Sequence, residues 1–296
     1  MDLLVERSQF GHGGNQEIID PIAGFGDVEV LLLTPQMQTE EVGDEAQGRG
    51  LIDLSLDDVP FWDHEFEFWK ECSLSMNGHN VLFRRIAMPL GGDDSKMEEW
   101  LNDIRPDAVV CSGSRRNVTM WEDWMDGGAS LVRCSSIMGI PTLGICFGHQ
   151  LLCKALGSTV KRAEKLSNGV WDLDLTAEGD SDVLFSSRRS GENDRPAVLF
   201  THQDHVITVP QSCSLLGSTN HNGVTAVRVH SDDGSALPAW GVQFHPEAAK
   251  ARVERAFNNG DISEEELVAF KREHDGAGIL QSFADVVIGN MGQSKS

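Results

Sequence analysis

The chain has 296 residues, and its 46 Asp and Glu against 24 Lys and Arg give a formal net charge of -22. An acidic chain lacks the cationic surface that binds a nucleic-acid backbone or an anionic lipid surface, which argues against both classes of partner. Hydrophobic residues make up 40% of the sequence, which is enough for a globular core and argues against disorder of the whole chain.

The first half of the chain alternates predicted strands with predicted helices. Residues 1–26 are rich in glycine and polar residues, which predicts a flexible N-terminal arm. Short apolar runs predict strands buried on both faces, as in parallel sheets. These runs lie at residues 28–33, 80–88, 107–111 and 142–145.

Other segments of this half predict helices and one irregular insertion. Residues 36–60 are acidic and interrupted by glycine, which predicts an insertion or loop. Residues 61–71 place aromatic side chains near helical spacing, and we favour a helix packed on the sheet over a partner-binding helix. Ser95 and Glu98 form a predicted capping box that begins a short helix, and another helix is predicted over residues 126–138.

The second half changes to short strands separated by turns. Five such runs read VWDLDL, AVLFTH, SLLGST, TAVRV and AWGVQF between residues 170 and 244. They predict antiparallel strands added to the sheet. A capping box at Ser263 and Glu266 predicts a helix to about residue 274, and a last helix is predicted over residues 278–288 before a polar tail at 290–296. The alternation predicts one α/β domain over residues 27–289.

No run of eighteen apolar residues is present, and the N-terminus lacks the basic start and apolar run of a secretory signal. The six cysteines are scattered and none forms a CxxC pair, which argues against a disulfide framework and a metal site. We therefore expect a cytoplasmic protein with no metal and no other cofactor.

The most informative segment is Gly144-Ile145-Cys146-Phe147-Gly148, between a predicted strand and a predicted helix. Glycines two residues before and after a nucleophile are what a sharp strand-to-helix turn requires, because larger side chains would collide across the bend. At the helix N-terminus, the helix dipole and nearby amides favour a thiolate. Cys146 is therefore a candidate nucleophile rather than one more buried cysteine.

A second segment, Phe244-His245-Pro246-Glu247, supplies the groups that a thiolate nucleophile needs. A catalytic base requires a third group that holds its tautomer and orientation. Proline favours an extended conformation at His245, so residues two apart project to the same side and their Cα atoms are separated by roughly 7 Å. Glu247 can then bind one nitrogen of His245 while the other nitrogen faces Cys146.

The paired segments GICFGHQ and FHPE resemble the class I glutamine amidotransferase family over roughly residues 28–247. The resemblance implies a flavodoxin-like three-layer sandwich, with a mostly parallel central sheet and a small antiparallel addition. It also implies that Cys146 is the nucleophile, His245 the base and Glu247 the orienting carboxylate.

The same resemblance implies the remaining site residues. The oxyanion hole would use the amides of Phe147 and Gly113, although many members have Gly-Gly where this chain has Gly113-Ser114. Gln150 would contact the glutamyl part of the substrate. His202 and Asp204 lie in the segment THQD, which resembles a family segment beside the same pocket. His149 and His202 are alternative bases, and we consider both less suited to that role than His245.

These motifs are compatible with three functional hypotheses, which differ in whether a further domain or a partner protein is required. The sequence shows no glycine-rich ATP-binding loop and no segment that resembles an acceptor-activating domain. We therefore expect a stand-alone enzyme similar to the γ-glutamyl peptidase branch of the family, which hydrolyses a small-molecule γ-glutamyl amide through a γ-glutamyl thioester. The alternatives are a glutaminase subunit that donates ammonia to a separate synthetase partner, and a catalytically inactive binding protein.

Overall fold

A computed structural model describes residues 15–33, 35, 71–114, 116–187, 190–258 and 262–293. These residues belong to two compact units, one up to residue 105 with 122–131 and one of 106–121 with 132–296, and each unit is described by itself. The single domain over residues 27–289 stays a prediction. The predicted insertion at 36–60 and residues 61–70 of the predicted aromatic helix lie outside the described residues.

The helices and strands follow in chain order. The first unit contains α1 (Asn15–Ala23), β1 (Val28–Leu32), β2 (Glu71–Met76), β3 (His79–Arg85) and α2 (Asp94–Ile104). Next come β4 (Val109–Cys111), α3 (Trp124–Ile137), β5 (Thr142–Ile145), α4 (Phe147–Ala155), β6 (Val160–Asp172), β7 (Asp174–Leu175) and α5 (Ala177–Ser181). The chain continues with β8 (Ala197–Val206), β9 (Cys213–Thr219), β10 (Asn222–His230), β11 (Ala236–Val242), α6 (Lys250–Asn258), α7 (Glu264–Ala269) and α8 (Gly276–Gln293).

The first unit is built on a three-stranded sheet in the order β1-β3-β2. Strands β1 and β3 are parallel, as predicted, whereas β2 and β3 form an antiparallel hairpin. The hairpin turn is Asn77-Gly78, and both residues have positive φ angles, 50° and 83°. This is the turn that Asn-Gly favours between paired strands.

Two details of the described residues of the first unit differ from the predictions. The arm predicted over residues 1–26 contains α1, which buries Ile18, Ile19 and Ala23 and therefore has an apolar surface to pack. The capping box at Ser95 is absent, because α2 begins at residue 94 and its cap is Asp93, whose side chain accepts a hydrogen bond from the Lys96 amide at 3.4 Å. An aspartate satisfies the first amides as well as serine does.

The second unit contains a six-stranded sheet in the order β4-β5-β11-β10-β9-β7. Strands β4, β5 and β11 are parallel, and β11, β10, β9 and β7 pair in antiparallel fashion. With the helices around these strands, the mixed α/β class is confirmed. Two details differ from the prediction: AVLFTH lies in β8, which pairs with β6 in a separate sheet, and AWGV pairs in parallel with β5.

The first turn of helix α4 packs against three neighbouring strand positions that carry a small side chain or none. Cys111, Gly144 and Gly241 are neighbours across β4, β5 and β11. A Cβ on Gly144 would lie 2.7 Å from the Gly148 carbonyl, and a Cβ on Gly241 would lie 2.6 Å from His149 Nδ1. The first turn of α4 therefore approaches the sheet more closely than side chains would permit.

The two C-terminal helices are present, but their ends differ from the predicted ones. The capping box of Ser263 and Glu266 is confirmed, but α7 ends at Ala269 rather than near residue 274. Helix α8 runs from Gly276 to Gln293 and is longer than predicted. It packs Phe283 edge-on against the buried Trp240, with ring centroids 6.2 Å apart.

Replacing Gly148 with alanine is expected to lower the free energy of unfolding by about 1–3 kcal/mol, because the added Cβ would overlap the Cys111 carbonyl oxygen. The matched control is Gly289→Ala, at an exposed position of α8 where an added Cβ meets nothing within 4 Å. The control is expected to gain about 0.5–1 kcal/mol. Urea denaturation measures both changes, and unaltered stability of Gly148→Ala would contradict the close approach of α4 to the sheet.

Candidate active site

The candidate site lies where three parallel strands of the second unit end. Gly113 follows β4 by two residues, Cys146 follows β5 directly, and His245 follows β11 by three residues. Because parallel strands present their carboxyl ends at one edge, residues that are far apart in sequence meet there.

Cys146 occupies the predicted turn between β5 and α4. Its backbone has φ 51° and ψ -98°, a conformation that is uncommon for a residue with a side chain. Gly144 and Gly148 are required on either side because a Cβ on Gly144 would collide with the Gly148 backbone across the bend and a Cβ on Gly148 would collide with the Cys111 backbone on β4. The Cys146 side chain is buried and lies at the N-terminus of α4.

His245 and Glu247 form a pair, as predicted, but Pro246 and Glu247 lie in a turn instead of the extended chain expected, and the Ala248 amide donates to the His245 carbonyl at 3.2 Å. His245 Nδ1 lies 2.8 Å from Glu247 Oε1. The side chain of His245 is 14% exposed and that of Glu247 only 3%. The His245 amide donates to the Leu199 carbonyl at 2.8 Å, which ties this segment to β8.

The other ring nitrogen of His245, Nε2, lies on the side of the ring that faces Cys146. A Cβ placed on Gly113 would lie 2.8 Å from His245 Cε1 and 3.8 Å from Cys146 Cβ, so Gly113 adjoins both residues. Among the described residues, His245 Nε2 has no hydrogen bond of conventional geometry. Cys146 is nevertheless close enough to affect the protonation of the ring, so thiol and imidazole are neighbours without a conventional hydrogen bond.

Protonation of His245 depends on its neighbours more than on its burial. Burial lowers the pKa of His245, but the charges of Cys146 and Glu247, and the hydrogen bond with Glu247, raise the pKa well above 6.5. An imidazolium is therefore stable in this position. The arrangement can hold a proton between a sulfur atom and a carboxylate, as acid–base chemistry at a thiolate requires.

The two residues predicted for the oxyanion hole flank Cys146. Phe147 is the first residue of α4, where backbone amides point out of the helix N-terminus, and Gly113 lies against the His245 ring. A side chain at position 113 would collide with that ring. Their role as donors stays a prediction.

Gln150 is buried one turn along α4, and its amide makes protein contacts. Gln150 Nε2 donates to the Asp204 backbone carbonyl at 2.6 Å and to Gln243 Oε1 at 3.2 Å. Gln243 Nε2 in turn lies 3.6 Å from Cys146 Sγ. The sequence reasoning missed Gln243, which stands two residues before His245. The two-residue spacing argument that linked His245 to Glu247 could have identified it.

His202 and Asp204 occupy neighbouring inward positions of β8 but have different surroundings. The Asp204 carboxylate accepts hydrogen bonds from the Thr119 amide at 2.9 Å and hydroxyl at 2.5 Å, which anchors the loop that follows Gly113. His202 Nδ1 is buried and has no hydrogen-bonding partner among the described residues. Burial and the charge of His245 lower the pKa of His202 to about 3.

His149 is fixed by the protein interior. Its Nε2 lies 3.1 Å from the Val224 carbonyl, and its Nδ1 lies 3.7 Å from Cys153 Sγ. Burial lowers the pKa of His149 to about 4. This ring faces the sheet under α4, which agrees with the expectation that it is structural.

Two classes of feature are missing from the part of the chain that the structure describes. None of its helices is long and apolar enough to cross a bilayer. Within the same ranges, no three His, Cys, Asp or Glu side chains are grouped so that they could hold a metal ion.

Comparison with known proteins connects this geometry to one family. The family model described as glutamine amidotransferase class-I matches residues 81–259. A glutamine-hydrolyzing GMP synthase subunit of Methanothermobacter thermautotrophicus is 34% identical over 142 residues, which are 46% of this chain and 70% of that relative. The glutamine-hydrolyzing GMP synthase of Thermus thermophilus is 37% identical over 166 residues, which are 56% of this chain and only 29% of the relative.

A solved structure supports the fold at low sequence identity. The glutamine amido transferase from Methylobacillus flagellatus has a TM-score of 0.50 and 15% identity, with 90% of this chain and 94% of that chain covered. At this identity the similarity concerns the fold alone. The chain spans less than a third of the length of the Thermus GMP synthase.

Acid is expected to destabilise the protein through its buried neutral histidines. The pKa values of His149 and His202 are lower in the folded chain than the ordinary 6.5, so the unfolded chain binds more protons below pH 6.5. The free energy of unfolding should fall between pH 6.5 and pH 4, by up to about 1.4 kcal/mol per pH unit for each ring. His245, whose pKa is raised, changes stability only above pH 6.5.

Urea unfolding at several pH values measures this slope. The variant His202→Asn should be less sensitive to acid between pH 6.5 and pH 4 than the wild type, whatever its stability at pH 7. An unchanged slope in both His202→Asn and His149→Gln would contradict the assignment of these rings as neutral.

Proposed function

Because the chain belongs to the class I glutamine amidotransferase family, we propose that it hydrolyses a γ-glutamyl amide bond, with Cys146 as nucleophile. The observation that carries the proposal is that Gly113, Cys146 and the His245–Glu247 pair adjoin one another at one edge of the sheet. A nucleophile, a base and a group that orients the base are the parts that covalent amide hydrolysis requires.

The first half of the proposed reaction forms a thioester. The Cys146 sulfur attacks the γ-carboxamide carbon, and the thiol proton resides on His245. The oxygen of the tetrahedral intermediate becomes negative and is stabilised by the amides of Phe147 and Gly113. His245 then donates the proton to the leaving nitrogen, the carbon–nitrogen bond breaks, and ammonia or an amine departs.

The second half consumes one water molecule. His245 takes a proton from water while the water oxygen attacks the thioester carbon. The carbon–sulfur bond breaks, glutamate leaves, and the proton on His245 is shared again with the Cys146 sulfur. Glu247 supports both halves because it stabilises the imidazolium.

The contacts that Asp204 and His202 already make in the protein indicate which of them is available to bind a substrate. The Asp204 carboxylate is engaged at both oxygens, since Oδ2 accepts from Thr119 and Oδ1 lies 3.6 Å from Arg162 Nη1, so in this proposal it acts through the loop that follows Gly113. His202 has a buried ring nitrogen without a partner among the described residues, and it neighbours His245. Of the two, His202 is the better candidate for direct contact with a γ-glutamyl group.

A second candidate function is that of a glutaminase subunit that passes ammonia to a synthetase. The observation in its favour is the 34% identity to the Methanothermobacter GMP synthase subunit, of whose length the chain spans 70%. In this case the substrate is glutamine, and turnover depends on a partner protein. The thioester chemistry at Cys146 is common to both candidates, and the leaving group separates them.

Removing the Cys146 sulfur is expected to abolish hydrolysis. The variant Cys146→Ala should lose at least about a thousandfold in kcat/KM, because the covalent step has no substitute nucleophile. Cys213→Ala is the matched control, since this cysteine lies on β9 outside the proposed machinery. Release of glutamate is measured with glutamine and with a γ-glutamyl dipeptide, and a γ-glutamyl adduct on Cys146 is sought by intact mass.

The outcomes separate the two candidate functions. Turnover of the γ-glutamyl dipeptide by the isolated chain supports the hydrolase. Turnover of glutamine that requires an added synthetase supports the alternative, in which the chain is a glutaminase subunit. Equal rates for the wild type and Cys146→Ala would refute both.

Replacing Glu247 with glutamine is expected to lower the pKa of His245, since the carboxylate is one of the groups that raise it. The proposed reaction should slow by about 10²- to 10⁴-fold, because the imidazolium loses its partner. NMR titration of the His245 ring measures the first effect and the amide-hydrolysis assay the second. Glu254→Gln, at an exposed site on α6, is the control. An unaltered His245 titration in Glu247→Gln would show that the carboxylate does not govern the ring.

A further inference from the structure

Gln243 is a fully buried side chain that no step of the proposed reaction uses. It follows β11 directly, and its backbone amide donates to the Thr225 carbonyl at 2.8 Å. Its side-chain Nε2 lies 3.6 Å from Cys146 Sγ, the distance of a nitrogen–sulfur hydrogen bond. A buried amide in contact with the reacting sulfur calls for a chemical explanation.

The orientation of this amide follows from one acceptor that cannot be reversed. The backbone carbonyl of Asp204 can only accept, so the group of Gln150 that meets it at 2.6 Å is the nitrogen. The same Gln150 nitrogen meets Gln243 at 3.2 Å, and the group it meets must then be the oxygen. The nitrogen of Gln243 is left on the side of Cys146, so an N–H faces the sulfur.

We propose that Gln243 donates a hydrogen bond to the Cys146 sulfur and stabilises negative charge on it, and that Gln150 and the Asp204 carbonyl fix the direction of that donor. The proposal rests on the proposed function, in which Cys146 is the nucleophile. Gln243 is a catalytic residue in this scheme because it touches the reacting atom, and Gln150 is a positioning residue.

The physical reason is the burial of the sulfur. Cys146 is 6% exposed, so water provides little solvation to a thiolate there. An anion removed from water requires hydrogen-bond donors from the protein, and hydrogen bonds to a charged acceptor are the strong ones. Gln243 supplies such a donor without a charge of its own, whereas His245 supplies the proton transfer.

The hydrogen bonds from Gln150 to the Asp204 carbonyl and to Gln243 also limit the contacts that Gln150 can make with a substrate. Both hydrogens of its amide nitrogen are directed at protein acceptors, the Asp204 carbonyl and Gln243 Oε1. A substrate contact by Gln150 would have to use its oxygen. Replacement of Gln150 should therefore alter the reactivity of Cys146 even when no substrate is present.

Alkylation of Cys146 by iodoacetamide tests the proposal without any substrate. The rate is measured against pH for the full chain, with the modified residue identified by peptide mass. In Gln243→Met, which keeps the length of the side chain but lacks the donor, the rate at pH 7 should fall about tenfold, and the pH profile should move to higher pH. Gln243→Glu, which replaces the donor by an anion, should fall further.

A second position keeps the test decisive if the buried Gln243 variants do not fold. Gln150→Met leaves Gln243 in place but removes the group that fixes its orientation, and it should shift the profile in the same direction by a smaller amount. Gln281→Met, at an exposed site on α8, is the control and should match the wild type. Circular dichroism confirms that each variant is folded.

Two results would overturn the proposal. One is a folded Gln243→Met or Gln150→Met whose alkylation follows the wild-type profile at every pH. The other is a rate reduced by the same factor at every pH, which reports access to the sulfur rather than stabilisation of its charge. Failure of the proposed function is distinguishable, since it would appear as absent amide hydrolysis in a wild type whose Cys146 is alkylated as expected.

Discussion

The parallel register of β4, β5 and β11 is the constraint on which the site depends. It sets Cys111, Gly144 and Gly241 side by side, so that the first turn of α4 can rest on backbone instead of side chains. The same register brings the loop after β4, the turn at Cys146 and the segment of His245 to one edge. A sulfur, an imidazole and two backbone segments from distant parts of the sequence are thereby grouped.

Three buried histidines illustrate how neighbours, rather than burial alone, determine protonation. Burial depresses the pKa of His149 and His202, which have no carboxylate beside their rings among the contacts of the described residues. His245, with a side chain 14% exposed, is mostly buried as well, but its contacts with Glu247 and Cys146 reverse the direction. The fold therefore maintains two neutral rings and one basic ring in the same region, and only the basic ring is paired with an acid.

Local signals predicted the parts of this site that local geometry controls. The paired glycines around Cys146 predicted the sharp turn, and the two-residue spacing of His245 and Glu247 predicted their pairing, although the chain turns there instead of staying extended. Pairings between strands were not predictable in this way: the run AWGV gives no sign that β5 is its parallel neighbour, because that depends on packing of the whole sheet. The Asn77-Gly78 turn was an available signal for the β2–β3 hairpin, and the position of Gln243 two residues before His245 was one for Gln243.

The glycine row beneath α4 has a consequence for motion. A helix that rests on side chains can slide or rotate when those side chains change rotamer. Helix α4 instead contacts the Cys111 backbone through Gly148, and the ring of His149 contacts Gly241. A shift of one residue would direct a side chain into the Cys111 carbonyl. These close contacts resist both translation of the helix along its axis and rotation about it, and they hold the sulfur at its N-terminus in place relative to the sheet.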